Sequence, residues 1–328
     1  MSRASEARPR VVRTAAEWLV ALGHVAGWCS RAHHSLEIWR QRAAMGGRRA
    51  TANCPICGAE ASRLLPLPMY TSADVRDRGD ACAVLCPACE IAHTSPLPAE
   101  PARVIVPDVE RETMGTAQRW LLRHFIRQRV SRVRPLLPSD RRPRVADVGG
   151  GACAFANALA STGCDVTVFE PNAANAQFAD ASAGVRFVAA PFDEDSVRTA
   201  SVAPGSLDAI TMWHALEHVP SPVATLALAR RLLRPGGVVY VSVPNLDALQ
   251  ADMAGTRWCY ADIPRHVTHF SPEGLQRLLR TAGFSSCVPY WWSAEYEVFG
   301  WYQSLLNMLT GSHNYFYNRA KKGRDADA

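Results

Sequence analysis

The run Val145-Ala146-Asp147-Val148-Gly149-Gly150-Gly151 constrains this 328-residue chain more than any other feature. Apolar residues ending in Asp-x-Gly-x-Gly predict a buried parallel strand that hands over to a loop able to approach a ligand closely, with a helix across 152–160 behind it. Val166-Thr167-Val168-Phe169 is a second apolar strand, ending at Glu170, whose carboxylate can accept hydrogen bonds from a ribose diol. Ala152, Cys153 and Ala154 follow Gly151, so the dinucleotide pattern G-x-G-x-x-G is not met, and no P-loop lysine follows.

The Asp-x-Gly-x-Gly form resembles motif I of class I S-adenosylmethionine (SAM) methyltransferases, in which the glycines admit the methionine portion of the cofactor. Ser206–His214 is similar to that family's fourth strand, Leu233-Arg234-Pro235-Gly236-Gly237 to its pre-strand turn, and Val238–Val243 to its fifth strand. The resemblance covers residues 136–300 and implies an α/β, Rossmann-like sheet. It implies a SAM site built from Asp147, Gly149, Gly150, Gly151 and Glu170, with Phe192 and Asp193 on the adenine side after the third strand. Cys153 stands where the family often has a third glycine.

Ten cysteines are the second constraint. Cys54-Pro55-Ile56-Cys57-Gly58 and Cys86-Pro87-Ala88-Cys89 are two C-x-x-C knuckles whose spacing reads as a small N-terminal zinc ribbon. Cys54, Cys57, Cys86 and Cys89 would hold one structural Zn²⁺, with Gly58 allowing the tight turn and Cys82 as an alternative to Cys86. A segment this poor in apolar residues needs the metal to fold.

The expected organisation is an Arg-rich extension over 1–50, the ribbon and a Pro-rich linker over 51–110, a connecting amphipathic helix over 111–135, the methyltransferase domain over 136–300, and an aromatic segment with a polar tail over 301–328. Trp18, Leu19, Leu22, Val25 and Ala26 have helical spacing, in a stretch too short to span a bilayer. Arg119, Arg123, Arg127 and Arg134 belong to a solvated helix face. The formal charge of +6 is mild and concentrated at the N-terminus, and Glu60, Asp74, Asp77 and Asp80 make the ribbon acidic, which argues against nucleic acid. No signal peptide is evident, so the expected location is the cytoplasm. The aromatic run Phe299–Asn307 and the basic Lys321-Lys322-Gly323-Arg324 suggest peripheral contact at the inner membrane face.

Chemistry is expected beyond the fourth strand, at His214-Ala215-Leu216-Glu217-His218. On a helical turn His214, Glu217 and His218 share a face. The letters match the zinc-peptidase pattern H-x-x-E-H but lack its long helix, since Pro220 follows. They resemble instead the E-x-x-E-H element of ubiquinone-biosynthesis O-methyltransferases, which implies a second divalent metal, with His214 replacing the first acid. A second cluster, Trp258, Tyr260, Asp262, Pro264, Arg265, His266, His269 and Phe270, suggests a substrate lid ahead of a helix with Ser271 as N-cap and Pro272 at its first position. Its Pro-Arg-His-x-x-His-Phe-Ser run resembles a methyltransferase subfamily that often carries a zinc ribbon. The expectation is methyl transfer from SAM to a hydroxyl on a small molecule, saccharide or lipid-linked acceptor. His218 or His266 would be the base, and Arg265 would orient an anionic group. The alternatives are C-methylation of a nucleotide-bound sugar and a zinc-ribbon RNA methyltransferase or RNA-binding protein.

Overall fold

The computed structural model describes residues 19–25, 53–60, 65–67, 82–96, 116–290 and 294–311. Strands with near-continuous apolar runs must be covered on both faces, and that condition is met by a parallel sheet with helical crossovers. Seven parallel strands lie in the order β11 (Ser286–Tyr290), β1 (Leu19–Val25), β9 (Leu233–Pro244), β8 (Leu207–Trp213), β5 (Arg144–Val148), β6 (Asp165–Phe169) and β7 (Val185–Val188). Every residue of β8 is buried. After β1 the chain re-enters the sheet at β5, runs outward through α2 (Ala154–Ala160) to β6 and β7, returns after α3 (Glu194–Thr199) to β8 on the other side of β5, and continues through α4 (Pro222–Leu232) to β9. This reversal leaves a crevice at the carboxyl ends of β5 and β8, the place where open α/β sheets bind ligands.

Three expectations about the elements change. Leu19–Val25, read as part of a helix, is a strand between β9 and β11. A short apolar run fits either period, and pairing on both edges, to β9 and to β11, fixes it as a strand. The flanking residues of that extension, Trp18 and Ala26 among them, lie outside the described residues. The connecting helix is α1 (Thr116–Val133), and its sides are less segregated than expected: Ile126 and Val133 are buried, whereas Trp120 and Leu121 are exposed. The aromatic C-terminal segment begins earlier than 301, as α7 (Ala294–Thr310), and its basic tail lies outside the described residues. The linker prolines Pro98, Pro101 and Pro107 and the acids Asp74, Asp77 and Asp80 also lie outside them.

The cysteine-bearing segment is joined to the main body by a shared sheet. β2 (Leu65–Leu67), β3 (Cys82–Cys86) and β4 (Ile91–Ser95) form an antiparallel array that β10 (Thr268–Phe270) of the main domain completes in the order β10-β4-β3-β2. α6 (Pro272–Thr281) then starts as expected, with Ser271 Oγ accepting from the Gly274 amide at 3.0 Å and Pro272 in the first turn. The segment read as a lid is core. Trp258, Ala261 and Ile263 are buried with Ala83, Leu85 and Ala92 of the ribbon and with α5 (Leu249–Ala254), because its aromatic and aliphatic side chains have an apolar layer to fill. Trp258 Nε1 donates to Gln250 Oε1 at 3.0 Å, which satisfies the one polar atom of that buried ring.

At the opposite end of the sheet, β9 begins five residues before the expected strand, and its pairing with β8 is irregular between Leu207 and Ala209. Asp208 sits at this irregularity, 1% exposed. It accepts from Arg141 Nη1 at 2.9 Å and from the Arg144 amide at 2.8 Å, and also binds Arg141 Nη2 and Arg234 Nε. Burial alone would raise its carboxyl, but these donors outweigh burial and hold it below the usual carboxylate range. A depressed carboxylate pKa contributes stability that is complete above the unfolded value of about 3.9 and is lost as pH falls through the lower folded value. We predict that Asp208→Ala destabilises the fold by about 3 kcal/mol in urea titrations at pH 7, with the difference from the parent shrinking only below about pH 4.

Candidate active site

The glycine loop after β5 is pressed between two neighbours. Gly149 has φ +68°, and a Cβ there would lie 2.8 Å from Ala215 Cβ in the turn after β8. A Cβ on Gly150 would meet Val168 Cγ1 at 2.6 Å. The loop is tied across the sheet by the Gly149 amide, which donates to the Phe169 carbonyl at 2.8 Å, and by Glu170. Glu170 Oε2 accepts from the Gly151 amide at 3.0 Å and Oε1 from the Asn172 amide at 2.9 Å. Each carboxylate oxygen retains a second lone pair, so the side chain can brace the loop and still receive a diol. Beneath the loop Asp147 is 2% exposed and accepts from Thr211 Oγ1 at 2.6 Å. Burial pushes its carboxyl up to about 7 against the opposing Thr211 hydrogen bond.

Cys153 adopts φ +56°, a left-handed conformation that costs any side chain about 1 kcal/mol and glycine almost nothing. Backbone conformation, rather than side-chain size, is therefore the reason a glycine suits that position. On the adenine side, Phe192 is buried edge-to-face against Phe169 with centroids 5.2 Å apart. Asp193 is exposed and caps α3, accepting from the Ser196 amide at 2.8 Å within a capping box. This makes it a helix cap in the first instance. One residue absent from the sequence-based list belongs here: Arg129 of α1 stands 5.1 Å over the Trp213 ring, and its charge pulls the buried Asp147 downward. It places a cation beside the loop. Its position on α1, one of many arginines there, carried no distinguishing signal in the sequence.

Beyond β8 the chain turns at His214, with φ +53°, and its amide donates to the Ser242 carbonyl at 2.9 Å. His214 Nδ1 stands 3.3 Å from Glu217 Oε1. Glu217 is 1% exposed, and among the described residues neither of its oxygens accepts a hydrogen bond. Glu217, His218 and His266 each present a ligand atom within 4.8 Å of the other two. The expected turn trio of His214, Glu217 and His218 is thus replaced by a trio that recruits His266 from 48 residues downstream of His218. The two histidines are oriented alike: His218 Nδ1 is 2.9 Å from the Arg265 carbonyl and His266 Nδ1 is 2.8 Å from the Tyr260 carbonyl. A carbonyl only accepts, so both Nδ1 atoms carry hydrogen, and in the neutral rings both Nε2 atoms are bare. Burial, with His218 and His269 nearby, lowers His266 well below the ordinary histidine value and keeps it neutral. Arg265, expected to clamp an anion, pairs with Asp262 at 2.6 Å, so part of its donor fork is engaged within the protein.

At the two knuckles, the four sulfurs lie within 4.8 Å of one another, with Cys54–Cys89 at 3.8 Å and Cys57–Cys86 at 3.6 Å. Sulfurs about 2.3 Å from a tetrahedral centre lie about 3.8 Å apart, so the set fits a zinc ion. The amides of Ile56 and Cys57 point at Cys54, and those of Ala88 and Cys89 at Cys86. Cys82 starts β3 opposite Ser95 and is outside the cluster.

Residues 120–287, half of the chain, match a family described as a methyltransferase domain. A ubiquinone biosynthesis O-methyltransferase of Xanthomonas campestris pv. campestris is 32% identical over 146 residues, covering 42% of this chain and 61% of that protein. The enzyme of the same name from Pectobacterium carotovorum subsp. carotovorum is 34% identical over 37% of this chain and 52% of its own. The chain thus spans about three fifths or less of these curated relatives. Among solved structures, Burkholderia thailandensis 1,6-didemethyltoxoflavin-N1-methyltransferase, with bound 1,6-didemethyltoxoflavin and S-adenosylhomocysteine, aligns at 22% identity and a TM-score of 0.39 over 61% of this chain and 84% of that one.

Calorimetry with S-adenosylhomocysteine checks the cradle. Glu170→Ala should weaken binding by about 1–3 kcal/mol through the lost hydrogen bonds, and Gly149→Val should abolish it, since the new side chain would need both a left-handed backbone and the space of Ala215.

Proposed function

The chain belongs to the class I SAM-dependent methyltransferases, and from that membership we propose that it transfers the methyl group of SAM to a hydroxyl oxygen of a small-molecule, saccharide or lipid-linked acceptor. The observation that carries the acceptor reading is the pair of bare Nε2 atoms of His218 and His266, grouped with a buried Glu217 at the switch point of the sheet. In this reading Asp147, Gly149, Gly150, Gly151, Glu170 and Phe192 hold SAM. The acceptor oxygen attacks the methyl carbon, the C–S bond breaks with its electron pair going to sulfur, and the hydroxyl proton goes to a histidine Nε2. Sulfonium activation is complete before the reaction begins, so alignment and proton removal are the protein's share.

Of the two candidate bases His218 suits the role better. His266 is fully enclosed and resists protonation, whereas His218 is half-buried, can share its new charge with water, and has Glu217 beside it. Replacing His218 with Ala should lower turnover by about 10²–10⁴-fold and leave SAM affinity unchanged once an acceptor is in hand. Near-normal turnover would reduce the cluster to a binding wall.

The Glu217 carboxylate, which accepts no hydrogen bond among the described residues, favours a second reading of the same trio. Two imidazoles held by Nδ1–H bonds to backbone carbonyls, and one buried carboxylate lacking hydrogen bonds, form a donor set that fits a divalent cation. A cation there would lower the pKa of an acceptor hydroxyl. Chelator-treated enzyme separates the readings: turnover lost and restored by Mg²⁺ or Mn²⁺ supports the cation, and unchanged turnover supports His218 as base.

The four knuckle cysteines are read as a structural zinc site, since four thiolates leave no open coordination position. Elemental analysis should find one zinc per chain and none in Cys57→Ser.

Peripheral membrane contact is assigned to α7, which is packed inside out. Its Gln303, Ser304 and Asn307 are buried, with Ser304 Oγ accepting from the Cys259 amide and Asn307 Nδ2 donating to the Arg257 carbonyl. Val298, Phe299, Tyr302, Leu305 and Leu309 face outward. Among the described residues no helix is long and apolar enough to cross a membrane. With Lys321, Lys322 and Arg324 following in the sequence, sedimentation with anionic vesicles at low salt should capture the protein, and Phe299→Asp with Leu305→Asp should release it.

A further inference from the structure

The cysteine ribbon reaches the acceptor-side chemistry through one strand. β4 leaves the second knuckle, pairs with β10, and five residues beyond Cys89 carries Thr94, which is completely buried. The Thr94 amide donates to the Val267 carbonyl at 2.9 Å, and its Oγ1 donates to the His266 carbonyl at 2.6 Å. The same oxygen lies 3.2 Å from His269 Nε2. A hydroxyl has one proton, and here the carbonyl takes it, so His269 Nε2 must supply the hydrogen of the second contact. His269 is therefore held as the Nε2–H tautomer, opposite to His218 and His266. From the other side, the amides of Val267 and Thr268 both donate to the Glu217 carbonyl, at 2.8 and 3.1 Å. Ribbon strand, His266 segment and Glu217 turn are consecutive members of one hydrogen-bonded stack.

The knuckle end of β4 is held just as firmly. Ser271 Oγ donates to the Glu90 carbonyl at 2.6 Å, Arg277 Nη1 donates to the Ala88 carbonyl at 2.6 Å, and a Cβ on Gly274 would lie 2.5 Å from the Glu90 carbonyl oxygen. Any shift of the knuckle must therefore move β4 or the start of α6. None of these contacts involves the glycine loop or Glu170.

We propose that Thr94 is a positioning residue of the acceptor site, through which the metal-bound ribbon sets the backbone of His266 and the ring of His269 while leaving SAM binding independent. The proposal rests on reading Glu217, His218 and His266 as the acceptor-side cluster. Its own content is the dependence of the His269 ring and the His266 backbone on Thr94.

The test uses the full chain with ¹⁵N-labelled histidine and its native metal, reading ring tautomers by NMR and S-adenosylhomocysteine affinity by calorimetry. The parent protein should show His218 and His266 as Nδ1–H and His269 as Nε2–H; a different parent pattern would overturn the acceptor reading before any variant is examined. Thr94→Val, which keeps the shape and removes the hydroxyl, should release His269 into averaged tautomers while His266, still held at Nδ1 by the Tyr260 carbonyl, keeps its own and affinity stays within about twofold, and Thr94→Ser should restore the parent pattern. Unchanged tautomers in Thr94→Val, or failure of Thr94→Ser to restore them, overturns the role of the hydroxyl. Should Thr94→Val fold poorly, stripping the metal from the parent protein with a thiol-directed mercurial decides the matter. Loss of the His269 pattern with affinity retained supports the coupling, and an intact pattern or a joint loss of affinity contradicts it.

Discussion

The closeness of two loops at the switch point of the sheet is the constraint on which the rest depends. A Cβ at Gly149 would come within 2.8 Å of Ala215 Cβ, so the loop proposed to cradle the cofactor and the turn proposed to carry the chemistry are in direct contact. Thr211 on β8 reinforces this from below by hydrogen-bonding Asp147 on β5. In-line transfer demands fixed separation between donor methyl and acceptor oxygen, and misplacement by about 1 Å costs on the order of a hundredfold. Packing two loops against each other is a direct way to supply that precision.

The same crevice concentrates polar groups that burial disfavours. Asp147 is pushed up to about 7, Glu217 accepts no hydrogen bond among the described residues, and His266 is held neutral. A raised carboxyl contributes stability that is present below its unfolded value and lost as pH rises through about 7, so at neutral pH Asp147 is a cost to the empty fold. Such strain gathers where ligands bind, because a positively charged sulfonium or a cation can offset it when present. At the far end of the sheet Asp208, saturated by four donors from Arg141, Arg144 and Arg234, has the opposite character and serves the fold alone.

Much of this was legible in the residues, for identifiable reasons. Buried parallel strands write themselves as apolar runs, so β5, β6 and β8 and the glycine loop between them could be read directly, and the Ser271-Pro272 start of α6 follows from capping chemistry. The knuckle spacing likewise announces four converging sulfurs. What could not be read was long-range pairing. Nothing local to Leu19–Val25 tells a central strand from a helix, and nothing in His266 says that it will stand beside Glu217. The apparent lid at Trp258–His269 failed for the same reason: its aromatic residues look surplus until the ribbon sheet that covers them is in place. Thr94, an ordinary strand residue by sequence, gains meaning only from the three backbone and ring contacts it makes.

The arrangement makes the cofactor and acceptor halves adjacent yet separately built, one on β5 and β6, the other on β8, β10 and the ribbon. A crystal structure of the full chain with S-adenosylhomocysteine tests this most directly. The account predicts the ribose hydroxyls at Glu170, the amino-acid portion against the Gly149–Gly151 loop, and the sulfur turned toward the bare Nε2 of His218. A ligand bound elsewhere, or a sulfur facing away from His218 and His266, would contradict it.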